Sequence, residues 1–302
     1  MEQQVRQLEQ RLDSRSPAMA VFCRAAVRMG LEVEVVDPTY RVLLRIRHGG
    51  RSKLLLGSRS PLNDAVAARI CQDKVYTARV LHQAGFVVPT TVSCLKPGHF
   101  QLSDYSEHEG VAAGLAFAEA HGYPVVVKPN RLSHGRHVQV VESKSELLAA
   151  IDEVWARDYL ALVQTPVAGV DLRLDYLDGQ FLTGYSRAPS SQPRADGFDI
   201  LNLAQGAHAT VIESIPQSWV EQGTRIGAAL GVRHFGIDFR VPRVGNALGS
   251  ELHRDLLATD PQKAHILEVN ASPLLGRMWQ QGYCEQAVGA QIRVLQAILE
   301  RD

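Results

Sequence analysis

Two apolar, strand-like segments in the second half of the chain each carry a carboxylate. Asp238 lies within FGIDFRV (235–241), and Glu268 lies within AHILEVN (264–270), which ends in Asn270. A carboxylate between Ile, Leu and Val side chains loses its hydration, so it requires a partner in the folded protein. Glu268 and Asn270 are two residues apart, so their side chains share one face of their strand. The chain must therefore fold so that each of the two carboxylates lies near a group that compensates its charge.

Two explanations of these carboxylates stay open at this point. Carboxylate and amide oxygens at adjacent strand ends are hard ligands, suited to Mg²⁺ that carries phosphate oxygens. Alternatively, arginine, lysine or backbone N–H groups pair with the buried acids and no metal is involved.

Two lysines strengthen the first explanation. Lys128 ends the apolar run PVVVK, and Lys74 follows Asp73 in DKVYT (73–77). A single lysine at a strand end is usually a surface residue whose ammonium group reaches water. Two lysines together with an acidic, metal-type cluster indicate a polyphosphate clamp. The chain has neither GxxxxGK[ST] nor a GxGxxG after a strand, which argues against a P-loop and against a dinucleotide-binding site.

Apolar periodicity and turn residues predict a mixture of helices and strands along the whole chain. The predicted helices include 2–13, 17–29 and one long helix from Asn63 or Asp64 to Gly85; hairpins are predicted around Gly49-Gly50 and Asp178-Gly179. Such intermixing predicts an α/β or α+β fold with more than one lobe.

Composition limits the class of protein further. The 302 residues contain 32 Lys and Arg against 32 Asp and Glu, so no surplus of positive charge indicates binding to nucleic acid or to an anionic membrane. No apolar stretch reaches the roughly 18 residues of a membrane span, and the first residues have no apolar core of a secretory signal. Four scattered cysteines without a CxxC pair predict reduced thiols. We therefore expect a cytoplasmic protein.

Six motifs occur in a fixed order along the chain. They are Asp73-Lys74…Thr77, VVVKPNRLSHGRHV (125–138), VQTPVAGVDLR (163–173), NLAQGA (202–207), GID (236–238) and LEVNASP (267–273). This order resembles that of ATP-grasp ligases, most of all the branch of the ribosomal-protein S6 glutamate ligase, with kinship to glutathione and cyanophycin synthetases. The match covers roughly residues 60–280, so the resemblance extends over most of the chain.

The resemblance implies an ATP-grasp fold: a short N-terminal α/β domain (1–92), a central α+β lobe (93–165) and a C-terminal α+β lobe (166–302), with ATP clasped between the last two. It implies an ATP-dependent ligase that activates a carboxylate as an acylphosphate and joins it to an amine. Its partners would be ATP and amino-acid or peptide substrates, and a homodimer is left open. The alternatives are an ATP-grasp phosphotransferase and a non-catalytic nucleotide-binding regulatory protein.

The resemblance also assigns roles to residues that bind the nucleotide. Those implied to bind ATP are Lys74 and Lys128 (phosphates), the loop 131–137 with Gly135 (phosphates), Gln164 and the Val167 backbone (adenine) and Asp171 (ribose). Those implied to hold Mg²⁺, or Mn²⁺ in its place, are Asp238, Glu268 and Asn270. Arg173, Arg187 and Asn202 would contact phosphate, acyl group or acceptor.

The chain departs from the family pattern close to the substrates. Ile200 and Leu201 stand where a basic residue is usual, and Gly206-Ala207 replaces Gly-Gly. The identities of the acyl donor and the amine acceptor therefore stay open.

Overall fold

The structure, a computed structural model, describes residues 1–12, 16–57, 59, 61–99, 109–132, 137–188, 208–242 and 255–301. Its helices are α1 (Glu2–Leu12), α2 (Pro17–Arg28), α3 (Ala65–Cys71), α4 (Lys74–Gln83), α5 (Ala112–His121), α6 (Lys144–Trp155), α7 (Gln217–Leu230), α8 (Gly276–Gln280) and α9 (Cys284–Glu300). None of the helices in these ranges is long and apolar enough to cross a membrane.

The strands form three antiparallel sheets. The first sheet has the order β1-β2-β3, with β1 (Glu32–Val35), β2 (Leu43–His48) and β3 (Arg51–Leu56). The second has the order β4-β7-β5-β6, with β4 (Thr91–Leu95), β5 (Val125–Pro129), β6 (Gln139–Val141) and β7 (Leu160–Gln164). The third has the order β10-β9-β8-β11-β12, with β8 (Val170–Leu177), β9 (Gln180–Ala188), β10 (His208–Ile212), β11 (His234–Val241) and β12 (His265–Asn270).

Both predicted hairpins are confirmed. β2 and β3 pair through His48 and Arg51 across Gly49-Gly50, and β8 and β9 pair through Leu177 and Gln180 across Asp178-Gly179. Both residues of each turn have positive φ, the backbone that a tight two-residue hairpin turn requires.

The single long helix predicted between Asp64 and Gly85 is wrong, because two helices occupy this stretch. Asp64 caps α3 by accepting a hydrogen bond from the Ala67 N–H, as expected. Asp73 then adopts an extended conformation and caps α4 by accepting from the Tyr76 N–H. An Asp side chain that bonds to nearby backbone competes with helix continuation. The break places Lys74 at the first position of α4.

Three buried clusters form the cores. The first joins α1, α2 and the three-stranded sheet to α9, and includes Val5, Val21, Ile46 and Leu295. The second packs α3, α4 and α7 against the five-stranded sheet, and includes Leu81, Trp219, Phe235 and Phe239. The third packs α5 and α6 against the four-stranded sheet, and includes Phe117, Leu147, Ile151 and Val163. Thus α3 and α4 share a core with the five-stranded sheet, while the boundaries after residues 92 and 165 remain predictions.

Candidate functional site

One face of the five-stranded sheet carries an unusual density of charge. Asp238 on β11 lies opposite Arg173 on β8 and opposite Glu268 on β12. Residues directly opposite in an antiparallel pair share a face, and so do residues two apart along a strand. The charged residues on this face are therefore Asp171, Arg173, Asp175, Arg187, Asp238, Arg240 and Glu268.

Asp238 lies between two arginines. Arg173 Nη1 donates to Asp238 Oδ2 at 2.7 Å, and Arg187 Nη2 donates to Asp238 Oδ1. Burial alone would raise the pKa of Asp238, but the two guanidinium groups outweigh burial and hold this pKa below its ordinary value. Asp238 is therefore ionised at neutral pH. The arginine pairing that the sequence left open as the alternative to a metal is thus present at this residue.

Arg173 is shared between two carboxylates. Its Nε donates to Asp175 Oδ1 at 2.6 Å, while its Nη1 donates to Asp238. The Arg173–Asp175 pair lies directly over Gly236: a Cβ added there would come within 2.0 Å of Asp175 Oδ1 and 2.2 Å of Arg173 Nη2. Only glycine at position 236 leaves room for this pair.

Asp171 lies at the opposite end of the same charged face. Arg240 Nε is 3.0 Å from Asp171 Oδ1, and Arg187 Nε is 3.8 Å from Asp171 Oδ2. The Asp171 side chain is 5% exposed. It is therefore already engaged by two arginines at the position where the resemblance implies a ribose contact.

Lys74 reaches the charged face from the start of α4. Its Nζ is 3.4 Å from Glu268 Oε2 and donates to the Leu132 carbonyl at 2.8 Å. The Lys74 ammonium group therefore contacts both Glu268 on β12 and the backbone of Leu132, at the start of the loop 131–137.

Lys128 lies half-buried on β5. Burial, and to a lesser extent the charge of Lys74, lower the pKa of its ammonium group to about 8, although Glu268 acts in the opposite direction. Two lysines close enough to repel each other beside one carboxylate form a site that an anion would stabilise. That Lys74 and Lys128 bind the phosphates of a nucleotide remains a prediction.

The two residues implied to contact adenine lie at the junction of the second and third sheets. Gln164 is buried at the end of β7, and Val167 is half-buried in the segment between β7 and β8. Gly135 and Asn202 lie outside the described residues.

The three residues implied to hold a metal are compatible with a hard cation. Asn270 lies opposite Gly236 on β11, so its side chain shares the face of Asp238 and Glu268. Two carboxylates and one amide oxygen form the donor set that Mg²⁺ prefers. Within the described ranges, no group of three or more His, Cys, Asp or Glu side chains is placed to hold a metal.

Sequence reasoning missed Asp175, Gly236 and Arg240 as members of this face. The alternation of VDLRLDYL (170–177) places Asp175 two residues after Arg173, so period-two reading of β8 could have found it. Arg240 could have been found in the same way, two residues after Asp238 on β11.

Comparisons with known proteins define the fold class. The chain has the ATP-grasp fold: it superposes on a D-alanine–D-alanine ligase from Bacillus anthracis with a TM-score of 0.55 at 17% identity, covering 79% of this chain and 69% of that one. A bifunctional glutathione synthetase from Pasteurella multocida superposes with a TM-score of 0.52 at 16% identity, covering 88% of this chain and 41% of that one. The fold class predicted from the sequence is confirmed.

Comparison of amino-acid sequences identifies proteins that are similar to this chain. A D-alanine–D-alanine ligase from Corynebacterium urealyticum is 28% identical over 178 residues, which are 57% of this chain and 44% of the relative. A bifunctional glutathione biosynthesis protein from Mannheimia succiniciproducens is 24% identical over 55% of this chain and 21% of the relative. The chain thus spans less than half the length of both relatives. No family model matches. The resemblance to ATP-grasp carboxylate–amine ligases is confirmed, while placement in the S6 glutamate ligase branch remains a prediction.

Proposed function

We propose that this chain is an ATP-dependent carboxylate–amine ligase, forming an amide bond and releasing ADP and phosphate. The observation that carries the proposal is the meeting of Lys74, Lys128 and Glu268 beside the charged sheet face, in a chain with the ATP-grasp fold. A D-alanine–D-alanine ligase of the same fold, from Bacillus anthracis, has been solved in complex with ATP. ATP is therefore the expected nucleotide of this chain.

The chemistry explains why such a site is needed. A carboxylate is a poor electrophile, because its oxygen is a poor leaving group. Transfer of the γ-phosphoryl group produces an acylphosphate, and attack by the amine then expels phosphate and forms the amide. Phosphoryl transfer depends mainly on positioning and on neutralisation of charge. Lys74 and Lys128 would supply point charges to the phosphates of ATP.

Asp238, Glu268 and Asn270 would hold Mg²⁺, with Mn²⁺ as an alternative. When bound, the metal would neutralise phosphate oxygens and orient the γ-phosphoryl group. Arg173 and Arg187 would keep the Asp238 carboxylate ionised and fixed in orientation. Their guanidinium groups would also add positive charge next to the transferred group.

The remaining assignments follow the motif resemblance. Gln164 and the Val167 backbone would contact adenine, Asp171 would face the ribose, and the loop 131–137 with Gly135 would cover the phosphates. Asn202 would contact phosphate or acceptor. Exclusion of water by that loop would protect the acylphosphate from hydrolysis. Amino acids or peptides are the proposed substrates, and the cytoplasm, which supplies ATP and keeps thiols reduced, is the proposed location.

The experiment is a screen for ADP and phosphate release across pairs of carboxylic acids and amines, followed by mass analysis of the product. An amide product with stoichiometric ADP is the expected result. Release of ADP with a phosphorylated product would instead identify a phosphotransferase. Binding of Mg²⁺–ATP without any turnover across the panel would identify a nucleotide-binding protein and refute the ligase proposal.

A substitution tests the metal assignment in the same assay. Glu268→Gln should lower ADP release at least about tenfold, because one charged oxygen ligand is lost. Glu285→Gln is the matched control, since Glu285 pairs with Arg28 at the surface, on α9 rather than on the charged sheet face. Unchanged turnover in Glu268→Gln would show that Glu268 does not hold the metal.

A further inference from the structure

Arg173 contacts both Asp238, in the proposed metal site, and Asp175, which is buried on the same sheet. Its Nε and Nη1 serve two different carboxylates, at 2.6 Å to Asp175 and 2.7 Å to Asp238. A guanidinium group pairs best with one carboxylate through two parallel hydrogen bonds. Here Asp175 takes one of those bonds, so Arg173 engages Asp238 through a single nitrogen.

Asp175 has no place in the roles implied by the family resemblance. It is buried on β8, opposite Gly236, and Gly236 lies opposite Asn270 on the other side. Gly236 has no Cβ, which is what allows the Asp175 carboxylate and the Arg173 guanidinium to lie across β11. Gly236 on β11 and Asp175 on β8 thus together accommodate the Arg173–Asp175 ion pair. This pair lies next to the residues proposed to hold the metal.

From this geometry we propose that Asp175 is a positioning residue, which holds Arg173 so that Asp238 keeps lone pairs free for the metal. Without the Asp175 carboxylate, a buried Arg173 Nε would lack its charged acceptor, a costly arrangement. Asp238 is the other carboxylate that Arg173 contacts in the structure, so the guanidinium would turn to pair with it through two nitrogens. A cation would then compete with Arg173 for the oxygens of Asp238. The inference rests on the metal role proposed for Asp238.

Calorimetric titration of ADP into the full chain, with Mg²⁺ and with EDTA, tests this inference without requiring turnover. In Asp175→Asn, the gain in ADP affinity caused by Mg²⁺ should fall about tenfold, the lower end of what loss of a partner behind a metal ligand usually costs. Affinity in EDTA should stay close to that of the wild type, because no metal is then bound. A merely structural role would weaken binding equally in both conditions.

Two further variants separate positioning from loss of charge and from misfolding. Asp178→Asn removes a carboxylate from the turn that follows β8; Asp178 is exposed and pairs with Arg233, so the Mg²⁺-dependent gain should be retained. Asp175→Glu keeps a carboxylate and should recover part of the gain. Thermal unfolding of each variant establishes that it is folded before titration.

The outcomes distinguish this inference from the proposed function. An equal Mg²⁺-dependent gain in Asp175→Asn and wild type overturns the role of Asp175 and leaves the metal site standing. The absence of any Mg²⁺-dependent gain in the wild type overturns the metal assignment, and the role of Asp175 with it. An equal loss in Asp175→Asn and Asp178→Asn assigns the effect to charge alone and overturns the positioning role.

Discussion

Burial and neighbouring charges shift the pKa values of several groups on the charged face. His234, at the start of β11, is buried, and its backbone N–H and carbonyl are both bonded to Asn63. Burial lowers the pKa of the His234 imidazole to about 4, and the charge of Arg173 acts in the same direction. The folded protein therefore holds this imidazole neutral.

The first prediction concerns the pH dependence that follows. An unfolded histidine has a pKa of about 6.5, so between pH 6.5 and 4 the unfolded chain binds more protons at this position than the folded protein. The contribution of His234 to the free energy of unfolding is complete above pH 6.5 and decreases as the pH falls towards 4. Urea unfolding at several pH values should show a shallower acid loss in His234→Gln than in the wild type. Parallel curves would contradict the prediction.

The second prediction uses Lys128. Because its pKa is lowered to about 8, its positive charge is present at pH 7 and decreases as the pH rises through 8 and above. If Lys128 binds phosphate, ADP affinity measured by calorimetry should decrease between pH 7 and pH 9. In Lys128→Met the affinity should be lower at pH 7 and nearly independent of pH in this range. Lys144→Met, at the exposed start of α6, is the control and should keep the wild-type pH dependence.

At the level of elements, the Asn63 side chain connects β11 and β12. Asn63 Oδ1 accepts from the N–H groups of Arg233 and His234, at 2.8 and 3.0 Å. Its Nδ2 donates to the carbonyls of His234 and Ala271, at 2.7 and 2.8 Å. Asn63 thus joins the start of β11 to the end of β12, next to Asn270.

The third prediction follows from this geometry. Asn63→Asp replaces the amide N–H₂ by an oxygen that faces two carbonyl oxygens, which costs about 1–3 kcal/mol for each carbonyl left without a donor. Urea unfolding should show this loss, and amide exchange should be faster at the ends of β11 and β12. Asn63→Ala removes all four bonds without adding a negative charge, whereas Asn63→Asp keeps the two bonds that Oδ1 accepts. A lower stability in Asn63→Asp than in Asn63→Ala would therefore show that the repulsion outweighs those two bonds. Wild-type stability in Asn63→Asp would show that the carboxyl group is protonated or that the strands rearrange.

Most elements were predictable from local pattern, and the exceptions have physical causes. Strict alternation predicted the β8–β9 hairpin, and apolar periodicity predicted α1 and α2, because each of these two helices buries one face. The division between α3 and α4 was missed because the apolar pattern continues through Gln72-Asp73. Whether Asp73 stays in a helix or caps the next one depends on its surroundings: the α4 backbone bonds to Asn130, and Arg131 lies 3.6 Å from the Asp73 carboxylate.

At the level of the whole molecule, the two ends of the chain build one core. α9 packs with α2 and the three-stranded sheet, and Leu295 on α9 is fully buried in the same cluster as Ile46 on β2. Arg51 on β3 also donates to the Leu299 carbonyl on α9. The N-terminal sheet therefore depends on a helix more than 200 residues away in sequence.

The fourth prediction tests that dependence. Leu295→Ala should lower the free energy of unfolding by about 2–5 kcal/mol, because it removes buried methyl groups and leaves a cavity. Amide exchange should accelerate in β2 and β3, although the substitution lies in the C-terminal helix. Leu147→Ala, in the third cluster, is the control: it should cost a similar amount and accelerate exchange in the four-stranded sheet instead. The same exchange pattern in both variants would show that the cores unfold as one unit.

Period-two and helical patterns and collinear motifs are properties of the chain itself, so they predicted the class of fold, the two hairpins and part of the candidate site, but not Asp175 or Arg240. Tertiary structure alone decided the partners of those residues. Whether Asp238 meets a metal, an arginine or both depends on which strands become neighbours, and Arg173 and Arg187 reach Asp238 from β8 and β9, more than 50 residues earlier in the chain. The same applies to Lys74 and Glu268, which meet because α4 packs on β12. Charge compensation in a buried site is a property of distances through space, and those distances are fixed by the packing of the sheets.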